Sequence, residues 1–449
     1  MRKGNRILSG LLALVMAAVM LLCPAEAITY EPDFTPTSKA VYLENLDTGL
    51  ILYEKNADEK MYPASLTKIM TAIVVLENVK DLDGETAEYP MWIQNMLYGT
   101  NASLGGLIVG EELTIRQLLT SALVQSGNES AMILAGYVGS GGMADFMPRD
   151  ITTFVEMMND KAKALGCTGT HFTNPTGLHS DNTYTTARDM AIMAKYAMQK
   201  SAFSSIVKNY AVQLGQTNKH ADLWQYSTNK MLLTSSPYYY APVVGIKTGS
   251  TDEAGRCVIS QAEDSGYHYF CVVMGSPVTA AEPYQNFIET RQLYRWAFGN
   301  FSLRTLLEQG ELMAEVPVKY SGDGKVAKLA IKEDVVQLLR DDISLDSIIY
   351  KAELPEFVEA PIAAGDTVGK MHIMLMGEEI GTVELVATQA FSLSWFRKAV
   401  GTIGSLLSST VAKVIFIVVV LAIAGYIVYA VRHNKKRKKH RSKYSDRNY

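Results

Sequence analysis

Hydrophobic and polar positions change their spacing along the chain, and the changes mark out its elements. Ala40–Asn45 and Gly49–Tyr53 alternate around Asp47-Thr48-Gly49, which predicts a β-hairpin. A helix is expected after Pro63, with Ile69, Ile73 and Val74 on its apolar stripe. Leu113–Val124, Ala131–Val138, Met147–Leu165 and Thr186–Met198 also read as helices, the last with Thr186 and Asp189 as a capping box. Strand patterns return at Val243–Lys247, Arg256–Ala262 and Tyr269–Met274, and a helix over Pro283–Phe298 closes the unit. Strands at both ends with helices between them predict one α/β domain, residues 36–300, whose sheet pairs early strands with late ones.

The pattern changes near Gly310. From Ala314 to Ala390 the segments are short and alternating, with turn signals at Ser321-Gly322-Asp323-Gly324, Gly365-Asp366 and Gly377-Glu378, so residues 311–390 are expected to form a small all-β domain. Residues 391–413, with Trp395-Phe396-Arg397-Lys398, predict an interfacial helix. The 18 uncharged residues Val414–Val431 with their flanks are about long enough to cross a bilayer. Residues 1–27 combine a basic start, an apolar run from Ile7 to Cys23 and Ala25-Glu26-Ala27, the pattern of a signal peptide cleaved after Ala27.

Charge adds orientation. The net −4 hides +2 on residues 1–27 and +8 on residues 432–449, which leaves −14 on residues 28–431. An acidic body with a basic tail argues against nucleic acid as a partner, since phosphate binding needs positive charge on the folded face. The cationic tail after the apolar span predicts a single-pass cell-membrane protein with a cytoplasmic tail, 432–449, and an extracytoplasmic body. Signal removal leaves Cys167, Cys257 and Cys271, a poor disulfide framework, although Cys257 and Cys271 can face each other across a hairpin centred near Asp264. The seven histidines include no pair at metal-ligand helical spacing, which argues against a zinc carboxypeptidase. His171 and His179 read as loop-packing or rim residues, and Tyr238–Tyr240 as either a substrate rim or a packing cluster.

Three short motifs carry the candidate chemistry: Ser65-Leu66-Thr67-Lys68, Ser126-Gly127-Asn128 and Lys247-Thr248-Gly249. Residues three apart share a helix face, so Ser65 and Lys68 can meet. A lysine serves as base for a serine hydroxyl only when its pKa is pushed down, by burial and by a second cation, for which Lys247 is the candidate. Each motif alone is weak: Ser-x-x-Lys recurs at Ser205 and Ser227, and Ser-x-Asn at Ser180 and Ser227. Order and spacing decide, with Ser126 falling 61 residues after Ser65 in a loop between helices. Lys247 falls 182 residues after Ser65, at the end of the Val243–Ile246 strand pattern.

In this arrangement the chain resembles the penicillin-recognising serine D-Ala-D-Ala carboxypeptidases, the low-molecular-weight penicillin-binding proteins, over roughly residues 36–390. Leu118–Asn128 (LLTSALVQSGN), His171–His179 (HFTNPTGLH), Thr185–Met190 (TTARDM), Gly245–Gly255 (GIKTGSTDEAG), Asn229–Leu232 and Ala360–Val368 (APIAAGDTV) carry the likeness. Glu129-Ser130 departs from the commoner Asp-Ala, and Thr234–Tyr240 has no counterpart residue by residue. The resemblance implies an α/β (α+β) β-lactamase/transpeptidase-like fold, an antiparallel sheet flanked by helices, joined to the all-β domain and one transmembrane helix. It implies that Lys68 deprotonates Ser65, which attacks the carbonyl between two terminal D-alanines, while Ser126 relays a proton to the leaving amine. Asn128 is to orient Lys68 and the substrate amide, Lys247 and Thr248 to bind the terminal carboxylate, and the N–H groups of Ser65 and Ser250 to form the oxyanion hole. The implied partners are peptidoglycan stem peptides, lipid-linked precursors and β-lactam antibiotics at the membrane, and no cofactor is needed.

A β-lactamase of the same fold is the nearest rival. Its large class uses an added glutamate for deacylation, and between Glu129 and Lys247 the chain offers only Glu156. A transpeptidase or endopeptidase differs only in acyl acceptor or scissile bond. A non-catalytic wall-binding scaffold has no need of all five polar motif residues.

Overall fold

The computed structural model of the chain describes residues 30–408 and 410–445. The expected signal peptide, residues 1–27, lies outside the described residues. The chain divides into two compact units, one running to Ser302 and taking in Leu338–Asp342, the other made of Leu303–Gln337 and the chain from Ile343 onward.

The first unit begins with β1 (Ala40–Asn45) and β2 (Ile51–Lys55), then a 3-10 turn (Ala64–Thr67) running into α1 (Lys68–Asn78). β3 (Thr86–Glu88), α2 (Met91–Leu97), β4 (Glu112–Thr114), α3 (Ile115–Thr120), α4 (Asn128–Gly139), α5 (Pro148–Ala164), α6 (Ala187–Met198) and α7 (Ser201–Val207) follow. The unit closes with β5 (Ala211–Gln213), β6 (Trp224–Tyr226), β7 (Lys247–Thr251), β8 (Gly255–Asp264), β9 (Tyr267–Ser276) and α8 (Gln285–Asn300). The main sheet has the order β2-β1-β9-β8-β7, with every neighbouring pair antiparallel, so early and late strands do pair.

Side chains alternate across a strand, and β9 uses both faces. Phe270, Val272 and Met274 join the large core built with α1, α4 and α6, whereas Tyr269 meets Phe298 of α8. With helices on both faces, the strand reads as a continuous apolar run. At the α6 N-terminus, Thr186 Oγ1 accepts from the Asp189 N–H as expected, at 3.0 Å. The reciprocal half of the capping box is absent, because the Asp189 carboxylate accepts from Gly169 N–H and Thr170 Oγ1 instead.

Three expectations are corrected. The helix expected over Leu113–Val124 is a strand residue pair, then α3, then a π-helical turn over Ser121–Gln125. Thr114 and Gln117 form a capping box that starts α3 only after β4 has paired with β3. The strand expected to end at Lys247 begins there: Val243 pairs with Ala262 and Lys247 with Ile259, so one extra residue bulges out between them. Cys271 sits opposite Ser260, not Cys257, and all three described cysteines are buried and free.

The second unit is β-rich. Its main sheet runs in the order Ile348–Glu353, Thr367–Leu375, Glu378–Ala387, Val326–Ile331, Leu312–Lys319, Val358–Glu359, with only the last pair parallel. After it come α9 (Trp395–Ser408), with Trp395, Phe396 and Val400 exposed, and α10 (Thr410–Ser445). Within α10, Lys413–His433 has a mean hydropathy of 2.9 and is long and apolar enough to cross a membrane.

Candidate active site

The site grows from the start of α1. Pro63 and the 3-10 turn precede the helix, and Ala64 sits at φ 48°, a left-handed conformation that costs energy for any residue with a Cβ. Two glycines let other chain segments close on this turn. A Cβ on Gly177 would stand 1.8 Å from the Ala64 carbonyl oxygen, and one on Gly249 of β7 would stand 3.2 Å from the Ser65 nitrogen. Ser65 is thereby held between the edge strand and the Asn174–Leu178 loop. Asn174 Oδ1 organises that loop by accepting from Thr176 N–H, Thr176 Oγ1 and Gly177 N–H.

Lys68, one turn on, is completely buried. Its Nζ donates to Asn128 Oδ1 at 2.9 Å and the Thr176 carbonyl at 2.8 Å and lies within hydrogen-bond reach of Ser65 Oγ, at 3.1 Å. Burial, reinforced by the Lys247 charge and opposed by Glu129, holds the Lys68 amine well below its ordinary range. Lys247 is also buried, and desolvation lowers its pKa to about 7. Its Nζ donates to the Thr248 carbonyl at 3.0 Å.

The π-helical turn delivers Ser126, a widening of the helix that is frequent at functional sites. Ser126 itself takes φ 64° and is almost fully buried at the cleft wall. Asn128 opens α4, and both its backbone N–H and its Nδ2 donate to the Ser103 carbonyl, at 2.9 and 2.8 Å. Glu129, next along, is buried, accepts from Gly105 N–H at 2.5 Å, and leaves Oε2 without a partner. Burial raises its pKa.

Ser65 lies between two lobes of one cleft. A lobe of about 310 Å³ is lined by Ser126, Thr228, Lys230, Thr248, Arg256 and Tyr284, and another of about 450 Å³ by Asn101, Ser103, Asn128, Leu178, His179 and Glu253. Ser250 lines both. The structure therefore brings Ser65, Lys68, Ser126, Asn128, Lys247, Thr248 and Ser250 together, with the two lysines beneath the cleft rather than in its wall. The alternative serines stand elsewhere or are otherwise engaged. Ser205 is exposed on α7 with its hydroxyl on the Ala202 carbonyl, Ser180 starts a turn, and Ser227 Oγ accepts from Asn229 N–H. His179 is a rim residue edge-on to Tyr62, and Tyr238 and Tyr240 pack against Tyr284 and Tyr294. Glu156 lies on the exposed side of α5.

Sequence reasoning missed Ser103 and the Thr176 carbonyl, both backbone acceptors that no side-chain motif announces. It also passed over Thr228, whose hydroxyl meets that of Thr248 at 2.5 Å.

A serine and a buried neutral-prone lysine, set against an edge strand in an α/β fold, define a serine acyl-transfer enzyme of the penicillin-recognising class. Residues 26–278, more than half of the chain, match the family of D-alanyl-D-alanine carboxypeptidases, peptidase S11, and residues 301–392 match the C-terminal domain of penicillin-binding protein 5. The chain belongs to the D-alanyl-D-alanine carboxypeptidase family and is a hydrolase. It is 29% identical to the D-alanyl-D-alanine carboxypeptidase DacF of Bacillus subtilis, over 86% of this chain and 95% of that protein. Its fold is similar to penicillin binding protein 5 of Haemophilus influenzae, with a TM-score of 0.60, 26% identity, and coverage of 81% of this chain and 100% of the other. The Streptomyces K15 DD-transpeptidase is also similar, at a TM-score of 0.54 and 30% identity, over 59% of this chain and 98% of that one. Penicillin binding and peptidoglycan processing fit this family.

Proposed function

We propose that the enzyme removes the terminal D-alanine from peptidoglycan pentapeptide stems through an acyl-enzyme on Ser65. The observation that carries this is the 3.1 Å contact between Lys68 Nζ and Ser65 Oγ, made by an amine whose burial favours the neutral form a base requires. Lys68 takes the Ser65 proton as Oγ attacks the penultimate D-alanine carbonyl. The N–H groups of Ser65 and Ser250 receive the developing oxyanion. Ser126 passes a proton to the leaving D-alanine amine, and Asn128 keeps Lys68 and the substrate amide in register. Thr248 stands at the carboxylate end, and Lys247, beneath it, depresses the Lys68 pKa. Water, activated by Lys68, then releases the tetrapeptide. Incubation with a synthetic pentapeptide, read by mass spectrometry, should show loss of one alanine; an intact peptide under conditions where penicillin labels the protein would overturn the reading.

The same reading assigns residues 1–27 to a removable signal peptide, 36–300 to catalysis, 311–390 to the β domain, 391–413 to an interfacial helix, 414–431 to the membrane span and 432–449 to a cytoplasmic tail. The catalytic domain then faces wall peptides and lipid-linked precursors outside the cell. Protease added to wall-stripped cells should digest the catalytic domain and spare an epitope on the tail; the reverse pattern would invert the topology.

A further inference from the structure

The lobe of the cleft beside Thr248 is lined by two cations, Lys230 and Arg256, and by no acidic side chain. Arg256 stands opposite Ser250 in the β7–β8 register, one strand in from the free edge of β7, and its side chain reaches the lobe that Thr248 and Ser250 also line. Both cations crowd one ring. Lys230 Nζ lies 4.4 Å and the Arg256 guanidinium 4.8 Å from the centre of Tyr284. The ring attracts each of them, but it leaves two like charges near each other without a counter-ion. Neither forms an ion pair with a carboxylate among the described residues, and Arg256 Nε is buried with no hydrogen-bond partner. A buried donor left without a partner is costly, and no other side-chain nitrogen of Arg256 donates to a group among the described residues, so its guanidinium, which lines the lobe, is available to match a carboxylate.

Lys247 is placed differently. It is 1% exposed, its ammonium donates to a carbonyl of its own strand, and it does not line this lobe. Resting on the proposed peptidase reading, we infer that Arg256 and Lys230, with the Thr248 hydroxyl, hold the C-terminal carboxylate of the substrate, while Lys247 acts from beneath the strand on Lys68. These two cations then set the preference for peptides with a free C-terminus. The leaving D-alanine enters with its carboxylate on the Arg256 fork, its amide bond over Ser65 and its stem in the other lobe.

The test is the ratio of kcat/KM for an N-acylated D-Ala-D-Ala peptide to that for its C-terminal amide, in the full chain. Arg256→Gln should lower that ratio about 10–100-fold, the loss expected for a charge-assisted hydrogen bond, and Lys230→Gln should lower it less. Arg256→Lys should recover part of it, which a purely structural role would not allow. Should Arg256→Gln fold poorly, penicillin and its methyl ester compared by intact mass on Lys230→Gln give the same readout. A ratio unchanged in both Gln variants, with the wild type active, would overturn the assignment and leave Ser65 chemistry standing. A wild type that hydrolyses neither peptide would instead remove the peptidase reading itself.

Discussion

The two units of the chain treat charge in opposite ways. Beneath the cleft of the first unit lie Lys68, Lys247 and Glu129, all fully or almost fully buried. In the second unit Ser321 is the one buried polar residue among the described residues, and ion pairs such as Lys332–Glu384 and His372–Glu379 stand in solvent. The pKa directions follow suit. Burial drives Lys68 and Lys247 down, whereas the Glu384 carboxylate draws Lys332 up. Burying an amine destabilises a fold, so it persists where chemistry needs a base that is neutral near physiological pH. The β unit has no such need and keeps its charge where water screens it.

Substitutions should separate the units by size of effect. Lys68→Ala removes the proposed base and should cut acylation rates by a factor of about 10²–10⁴ with acid and amide substrates alike. Burst kinetics with a chromogenic substrate measures this, and a loss under tenfold would mean another base. Lys247→Met comes next. Without the neighbouring cation Lys68 should hold its proton more tightly, so the acid limb of the kcat/KM profile should move to higher pH. An unmoved limb would disconnect the two lysines.

The same variant should raise thermal stability, and the sign is fixed by linkage. The folded pKa of Lys247 lies at about 7, below its unfolded value, so between the two the unfolded chain binds the extra proton and wild-type stability rises with pH. The gain from Lys247→Met should therefore be greatest at or below pH 7 and shrink toward about pH 10.4, where an unfolded lysine loses its proton. A gain independent of pH would indicate a packing effect alone. Glu129→Ala should cost about 1–3 kcal/mol by leaving the Gly105 N–H unsatisfied in the cleft wall, seen as a lower denaturant midpoint. Smallest of all, Lys332→Met in the β unit should leave both activity and melting temperature within the scatter of surface substitutions.

The contrast also explains what the sequence made legible. That Ser65, Lys68, Ser126, Asn128, Lys247, Thr248 and Ser250 converge on one cleft was readable because all sit in or beside three short motifs, and β1 was readable to the residue because the Asp47-Thr48-Gly49 turn ends it. The start of β7 was not, because a bulge does not alter the apolar pattern that surrounds it. The π-helical turn before Ser126 was hidden for a similar reason: its residues look helical whichever hydrogen bond they make. Arg256 lies just outside the family-like segment Gly245–Gly255, and Lys230, though inside Asn229–Leu232, is given no role by the resemblance. Only the strand register and the shared Tyr284 ring bring them to the cleft.

The central claim is a covalent intermediate on one particular serine, and intact-mass spectrometry after exposure to penicillin tests it most directly. The wild type should gain the mass of one drug molecule, as should Ser180→Ala, Ser205→Ala and Ser227→Ala, while Ser65→Ala should gain none. Undiminished labelling of Ser65→Ala would contradict the account.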